Sequence, residues 1–190
     1  MLHQHFILHK PVGVICQFVY THKRKKILLG DLYNFPKGTM SIGRLDVHSE
    51  GLLLLTTDGK VSEAVRSKTV EKEYHVQVDG RITEEAIQRL NEGVEIGVDG
   101  KKYKTLPGKA KKLDGPGAIA DPSYKEREAR HGPTSWASIV VTEGKFRQVR
   151  KMTAAVGFPT LRLIRVRVGQ VHIADLQVGE VRAVERFQLK

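Results

Sequence analysis

Gly43-Arg44-Leu45-Asp46-Val47-His48-Ser49-Glu50-Gly51-Leu52-Leu53-Leu54-Leu55-Thr56-Thr57-Asp58-Gly59 is the stretch from which the rest of the chain is read. It opens with a base and an acid two residues apart. Ser49-Glu50-Gly51 reads as a polar break. Four successive leucines then run into Thr56-Thr57-Asp58-Gly59, a turn signal. An unalternating apolar run between turns suits a strand buried on both faces, although periodicity alone also admits a helix. Arg44 and Asp46 therefore sit on a loop that feeds a core strand, which is a good place to hold a reactive carboxylate.

On either side, the pattern alternates between short strands and short helices. His5 to His9 reads as a strand, Lys10-Pro11-Val12-Gly13 as a turn, and Val14 to Val19 as a second strand. Ile27 to Tyr33 reads as a short helix interrupted by Gly30. Asp58 is placed to cap a helix over Lys60 to Ser67, with Val61, Ala64 and Val65 inward. In Lys72 to Val78, the residues Tyr74, Val76 and Val78 alternate with polar ones, as in a half-buried strand. Thr83 caps a helix through Asn91, with Ala86, Ile87 and Leu90 inward and Gly93 at its end. Strands at Val94–Val98 and Lys102–Leu106 are joined by Asp99-Gly100, a hairpin signal.

Residues 107–133 contain four of the seven prolines and little apolar periodicity beyond a short strand at Ala110 to Leu113. They read as a mobile basic insertion in a chain that is otherwise one catalytic domain, 1–190. Lys109, Lys111, Lys112, Lys125, Arg127 and Arg130 within it are equally compatible with gripping a polyanion and with a solvated linker. The same balance holds for the basic run at Lys23, Arg24, Lys25 and Lys26. Order resumes with a strand over Ser138 to Thr142. A helix follows from the Glu143–Met152 segment, with Val149, Met152 and Val156 inward and Gly157 closing it. Final strands are expected at Thr160–Val168 and Glu180–Phe187.

The 190 residues are 40% hydrophobic and 28% charged, ordinary for a folded chain, but the net charge is +11 and the pI about 9.8. Such a balance points to a polyanion, nucleic acid first. The charge is also unevenly placed. No acidic residue occurs from Gly144 to Ala174, a span that holds Lys145, Arg147, Arg150, Lys151, Arg162, Arg165 and Arg167. This stripe is read as facing RNA. Cys16 is the single cysteine, so no disulfide forms within the chain, and its apolar neighbours mark a buried, inert thiol. Nothing resembles a membrane span or a signal peptide, so the expected location is cytoplasmic. No Cys/His cluster suggests a metal, and no glycine-rich phosphate loop is present.

Three motifs carry a resemblance to the RsuA-type ribosomal RNA pseudouridine synthases: Gly43-Arg44-Leu45-Asp46, Lys72-x-Tyr74-x-Val76-x-Val78, and Glu143-Gly144-Lys145-x-x-Gln148-Val149-Arg150. Lys10-Pro11-x-Gly13-Val14 and the final strands extend the likeness over nearly the whole chain. The absent N-terminal RNA-binding domain, Thr134-Ser135-Trp136 and Arg147-Gln148-Val149-Arg150-Lys151-Met152 are most like the RluE branch, which modifies large-subunit rRNA. Gly179-Glu180-Val181-Arg182 departs slightly, with Val where many members have Trp.

The resemblance implies an α+β pseudouridine synthase fold, with a mixed, mostly antiparallel sheet in two lobes and a central active-site cleft. It makes Asp46 the catalytic carboxylate, Tyr74 the aromatic face against the base and Arg150 the basic partner of the acid. Leu163 becomes a second wall for a flipped uracil. Arg44, Lys145, Arg147, Lys151 and Arg165 are the expected RNA contacts. Large-subunit ribosomal RNA is the implied partner of a monomeric enzyme that needs no cofactor and no metal. His48 is given little weight as a base, because it has no spacing partner. A ribosome-assembly factor without catalysis fits the charge equally well, and the same chemistry on transfer RNA is a further alternative. Against the binder stands an acid kept inside a basic groove, where it repels phosphate.

Overall fold

The computed structural model describes residues 3–19, 26–67, 69–117, 131–173 and 175–189. Lys23, Arg24 and Lys25 lie outside the described residues, as do 118–130 of the expected insertion, with Lys125, Arg127 and Arg130. In chain order the first elements are β1 (His5–Lys10), β2 (Val14–Ile15), β3 (Ile27–Leu28), α1 (Leu29–Leu32), β4 (Met40–Ser41), β5 (Glu50–Thr56) and α2 (Gly59–Arg66). Next come β6 (Lys72–Asp79), α3 (Glu84–Glu92), β7 (Glu95–Val98), β8 (Lys101–Lys104) and β9 (Lys109–Leu113). The last are β10 (Thr134–Val141), α4 (Gln148–Ala155), β11 (Thr160–Val168), β12 (Val171–His172) and β13 (Val181–Val184). The architecture is α+β with mostly antiparallel pairing; β2 and β3 pair in parallel. The chain forms two compact units, Met1–Val70 with Arg165–Lys190, and Glu71–Ile164.

The first unit is built on β5. Every one of its seven residues is buried, which is why its leucines do not alternate with polar residues. β1 flanks it in antiparallel register, from His5 opposite Thr56 to Lys10 opposite Gly51. β13 lies on the other side of β1. The expected polar break is not one. Glu50 and Gly51 belong to the strand, and Ser49 and Glu50 are each only 1% exposed. The strand expected over Val14–Val19 ends at Ile15, and Gly30 falls inside α1. Asp58 caps α2, its carboxylate accepting from the N–H groups of Lys60 and Val61. The buried face of α2 is Ser62 and Val65, whereas Ala64 is exposed.

In the second unit β10 pairs with β6 over its full length, Thr134 opposite Asp79 through Val141 opposite Lys72. β9 pairs with the other side of β10, Trp136 opposite Leu113 through Val140 opposite Lys109. Residues 109–113 are thus a sheet strand, one residue longer than the short strand expected at Ala110 to Leu113. α3 carries the Thr83 cap and packs Ala86, Ile87 and Leu90 inward. These join Val76, Val78, Ile139, Val149, Met152 and Leu163 in one core. Asp99 (φ 49°) and Gly100 (φ 75°) make the two-residue turn between β7 and β8, a turn that needs two positive φ angles.

Candidate active site

Asp46 lies on the loop between β4 and β5, half-buried, with Leu45 buried beneath it and Arg44 and His48 exposed. The loop is fixed at several points. The Gly13 N–H donates to Val47 O at 2.7 Å, so the turn after β1 holds the loop backbone. The Cys16 thiol donates to Leu45 O at 3.3 Å, and the Leu45 N–H donates back to Sγ at 3.4 Å. The Ser49 N–H closes on Asp46 O at 3.0 Å. Lys10 Nζ, fully buried at the end of β1, donates to Ser49 O and Pro11 O, each at 2.8 Å. A carboxylate on a loop held this way keeps one position.

Lys10 is the unusual group here. Burial lowers its pKa to about 8, a pull that the charges of Glu50 and Asp46 oppose and that of Arg165 reinforces. Asp46 is thus within electrostatic reach of an interior ammonium. Burial pushes the Cys16 thiol up, as expected for an unreactive cysteine. Arg165 is 6% exposed, and its Nε donates to Leu52 O at 2.7 Å. It is a buried arginine braced on the central strand, not a member of an exposed RNA-facing stripe. Arg162 is likewise buried.

The remaining candidates lie in the second unit. Tyr74 is half-buried on β6 and packs against that unit's core, and Leu163 on β11 is part of the core at 7% exposure. Arg150 is half-buried in the first turn of α4. The turn entering α4 is held by two buried side chains. Glu143 accepts from the Leu106 N–H and Gln148 Nε2, each at 2.9 Å, and from the Tyr103 hydroxyl. Gln148 Oε1 accepts from the Lys145 N–H at 3.1 Å. The hydrogen bond to Glu143 holds the Tyr103 hydroxyl pKa above its ordinary value. Arg147 adopts a left-handed conformation (φ 53°) as the residue before the helix and is exposed. Lys145 and Lys151 are half-buried.

Residues 4–155 match the family described as RNA pseudouridylate synthase. The chain belongs to the RNA pseudouridylate synthase family. It is accordingly an isomerase that converts uridine to pseudouridine. The match takes in Arg44, Asp46, Tyr74, Lys145, Arg147, Arg150 and Lys151, and stops before Leu163 and Arg165. Among curated relatives, the chain is 40% identical over 182 residues to "Ribosomal large subunit pseudouridine synthase E" of Vibrio parahaemolyticus, covering 94% of this chain and 73% of that one. It is 38% identical over 180 residues to the protein of the same name from Xanthomonas campestris, covering 93% and 92%. A solved "pseudouridylate synthase" superimposes with a TM-score of 0.76 at 29% identity, covering 96% of this chain and 70% of that one.

Within this synthase, the sequence hides the groups that set the site. A lysine opening the expected turn Lys10-Pro11-Val12-Gly13 looks solvated, yet it is fully buried at the end of β1. Nothing local signals that, because its acceptors are its own neighbour's carbonyl and one 39 positions away. Glu143 and Gln148 are legible as motif positions but not as the brace of a turn. Among the described residues, no group of three His, Cys, Asp or Glu is arranged to hold a metal ion. No helix among them is long and apolar enough to cross a membrane.

Proposed function

We propose that this synthase isomerises a specific uridine in large-subunit ribosomal RNA, with Asp46 as its nucleophile. The observation that carries the substrate is the 40% identity, over 94% of this chain, to a relative named for the large ribosomal subunit. The reaction breaks the bond between ribose C1′ and uracil N1, turns the base and rejoins it through C5. The hydrogen at C5 leaves to water and N1 gains a proton, so no electron or group is imported. The chain's own residues then suffice, and none of the proposed steps calls on a cofactor. A carboxylate needs only to be ionised and held to act as nucleophile, and the Asp46 loop is held by Gly13, Cys16 and Lys10.

Tyr74 offers an aromatic face to the displaced uracil, since a base rotated by an enzyme must first leave its stack. Leu163 adds an apolar wall, and Arg150 supplies a fixed positive charge to the reaction. Arg44, exposed beside Asp46, and Lys145, Arg147 and Lys151 contact the RNA backbone. The enzyme works as a monomer in the cytoplasm, on the RNA or a partly assembled subunit. The test uses large-subunit rRNA transcript carrying tritium at uridine C5. Release approaching one equivalent per transcript is expected, with Asp46→Asn releasing none while still binding the RNA. Release by Asp46→Asn would remove Asp46 from catalysis. Release from transfer RNA alone would reassign the substrate.

A further inference from the structure

Phe146 is 64% exposed, on the turn that leads into α4. Single apolar side chains at a surface are common and usually mean nothing. This one differs in its surroundings. Lys151 Nζ stands over one side of the ring, 5.4 Å from its centroid, and is itself held by a 2.6 Å hydrogen bond to Gly97 O. Lys145 Nζ stands 4.7 Å from the Tyr103 ring centroid. Arg147 follows Phe146 and is exposed, and Lys101 is exposed on the neighbouring hairpin. Glu143 and Glu95 are engaged, with Tyr103 and Lys102 respectively, and Asp99 sits at the hairpin tip. The turn is rigid, because Gln148 and Glu143 lock its backbone from the buried side.

We infer that Phe146 is a stacking platform for an unpaired RNA base other than the reacting uridine. Lys151 occupies one face of the ring and leaves the other to the base. Lys145 and Arg147 lie beside it to meet the adjoining phosphates. Aromatic rings among fixed cations are how single strands are held without sequence readout, because every base has a flat face to stack. A cation across the ring strengthens the arrangement. The occupant is RNA and not an acidic protein, because an exposed flat ring backed by a cation matches one base, whereas a protein interface buries a contiguous apolar patch. This inference rests on the RNA-modifying reading and adds a second contact to it.

The test measures binding of large-subunit rRNA transcript, and of a fluorescein-labelled single-stranded RNA, to the wild-type chain and to Phe146→Ala, Phe146→Trp and Lys145→Ala. Phe146→Ala should weaken binding to both by about 5- to 100-fold, and Phe146→Trp should restore it. The loss from Phe146→Ala should not change with salt, whereas Lys145→Ala should lower the salt slope by about one. In tritium release, the cost of Phe146→Ala should fall on KM more than on kcat. Wild-type affinity in Phe146→Ala would overturn the inference and leave the face to another partner. Equal loss in Phe146→Trp would make the ring structural and overturn it too. Should the wild-type chain bind but release no tritium, the function proposed above fails, while these affinities still decide the role of Phe146.

Discussion

Lys10 Nζ donates to the carbonyl oxygen of Ser49 at 2.8 Å, so a buried ammonium ties the end of β1 to the far end of the Asp46 loop. Replacing it with an isosteric apolar chain separates position from stability. Lys10→Met leaves the Ser49 and Pro11 carbonyls without that donor, a loss of about 1–3 kcal/mol. It also removes a buried charge whose pKa depression corresponds to about 3 kcal/mol. The two oppose each other, so stability near pH 7 should change by less than about 2 kcal/mol. Catalysis has no such compensation: kcat should fall by at least about tenfold, because small displacements of a reacting group are expensive. Urea unfolding alongside tritium release checks both. Wild-type kcat in Lys10→Met would show that the loop holds itself.

The same lysine predicts a pH dependence with a definite sign. Its folded pKa is about 8, against an ordinary value of 10.5. Between those values the unfolded chain still carries a proton that the folded chain has shed, so stability rises with pH there. Below about 8 both states are protonated and the burial penalty is constant. The stability of the wild-type chain relative to Lys10→Met should therefore be flat up to about pH 8, then grow by about 3 kcal/mol towards pH 10.5. Paired urea titrations across this range read the difference. A difference that stays flat would mean that the ammonium is not depressed.

Much of this fold could be read from residue patterns, and the exceptions share a cause. The four leucines of β5, the Asp58 and Thr83 caps and the Asp99-Gly100 turn act through neighbours in sequence, and each took the expected form. Asp46 falls on a loop for the same local reason. Arg165 and Lys10 went the other way. Both look like surface cations, and both are buried by partners distant in sequence, Leu52 and Ser49. The strand expected over Val14–Val19 ends early where Cys16 turns to the Leu45 backbone, 29 residues away. Long-range acceptors leave no periodicity in the chain.

Cys16 should be silent to thiol reagents in the folded protein. It is buried, its pKa is raised by burial, and its sulfur both donates to and accepts from Leu45. Labelling by an uncharged alkylating reagent should proceed only as fast as the protein opens, and should accelerate in urea along with loss of structure. Cys16→Ala strips two weak hydrogen bonds from the Leu45 peptide and leaves a small void, which should lower stability by about 1–2 kcal/mol. Fast labelling of the native chain would show that the Asp46 loop opens on its own.

Gly51 is where the backbone itself forbids a side chain. It sits opposite Lys10 at the start of β5 with φ +104°, outside what other residues readily adopt. A Cβ there would lie 2.3 Å from Arg165 O and 2.7 Å from Arg165 N, both backbone atoms within the same unit. Backbone within a buried sheet cannot step aside as a flexible side-chain tip can. Gly51→Ala should therefore lose more than about 4 kcal/mol, enough to leave much of the chain unfolded. Gly59 makes the matched control. It is the first residue of α2, its φ is ordinary, and a methyl group added to it would meet nothing within 4 Å. Gly59→Ala should raise stability by about 0.5–1 kcal/mol, by favouring the helix and restricting the unfolded chain. Thermal melts of the two variants decide the matter: a Gly51→Ala protein as stable as wild type would mean that β5 does not approach Arg165 this closely.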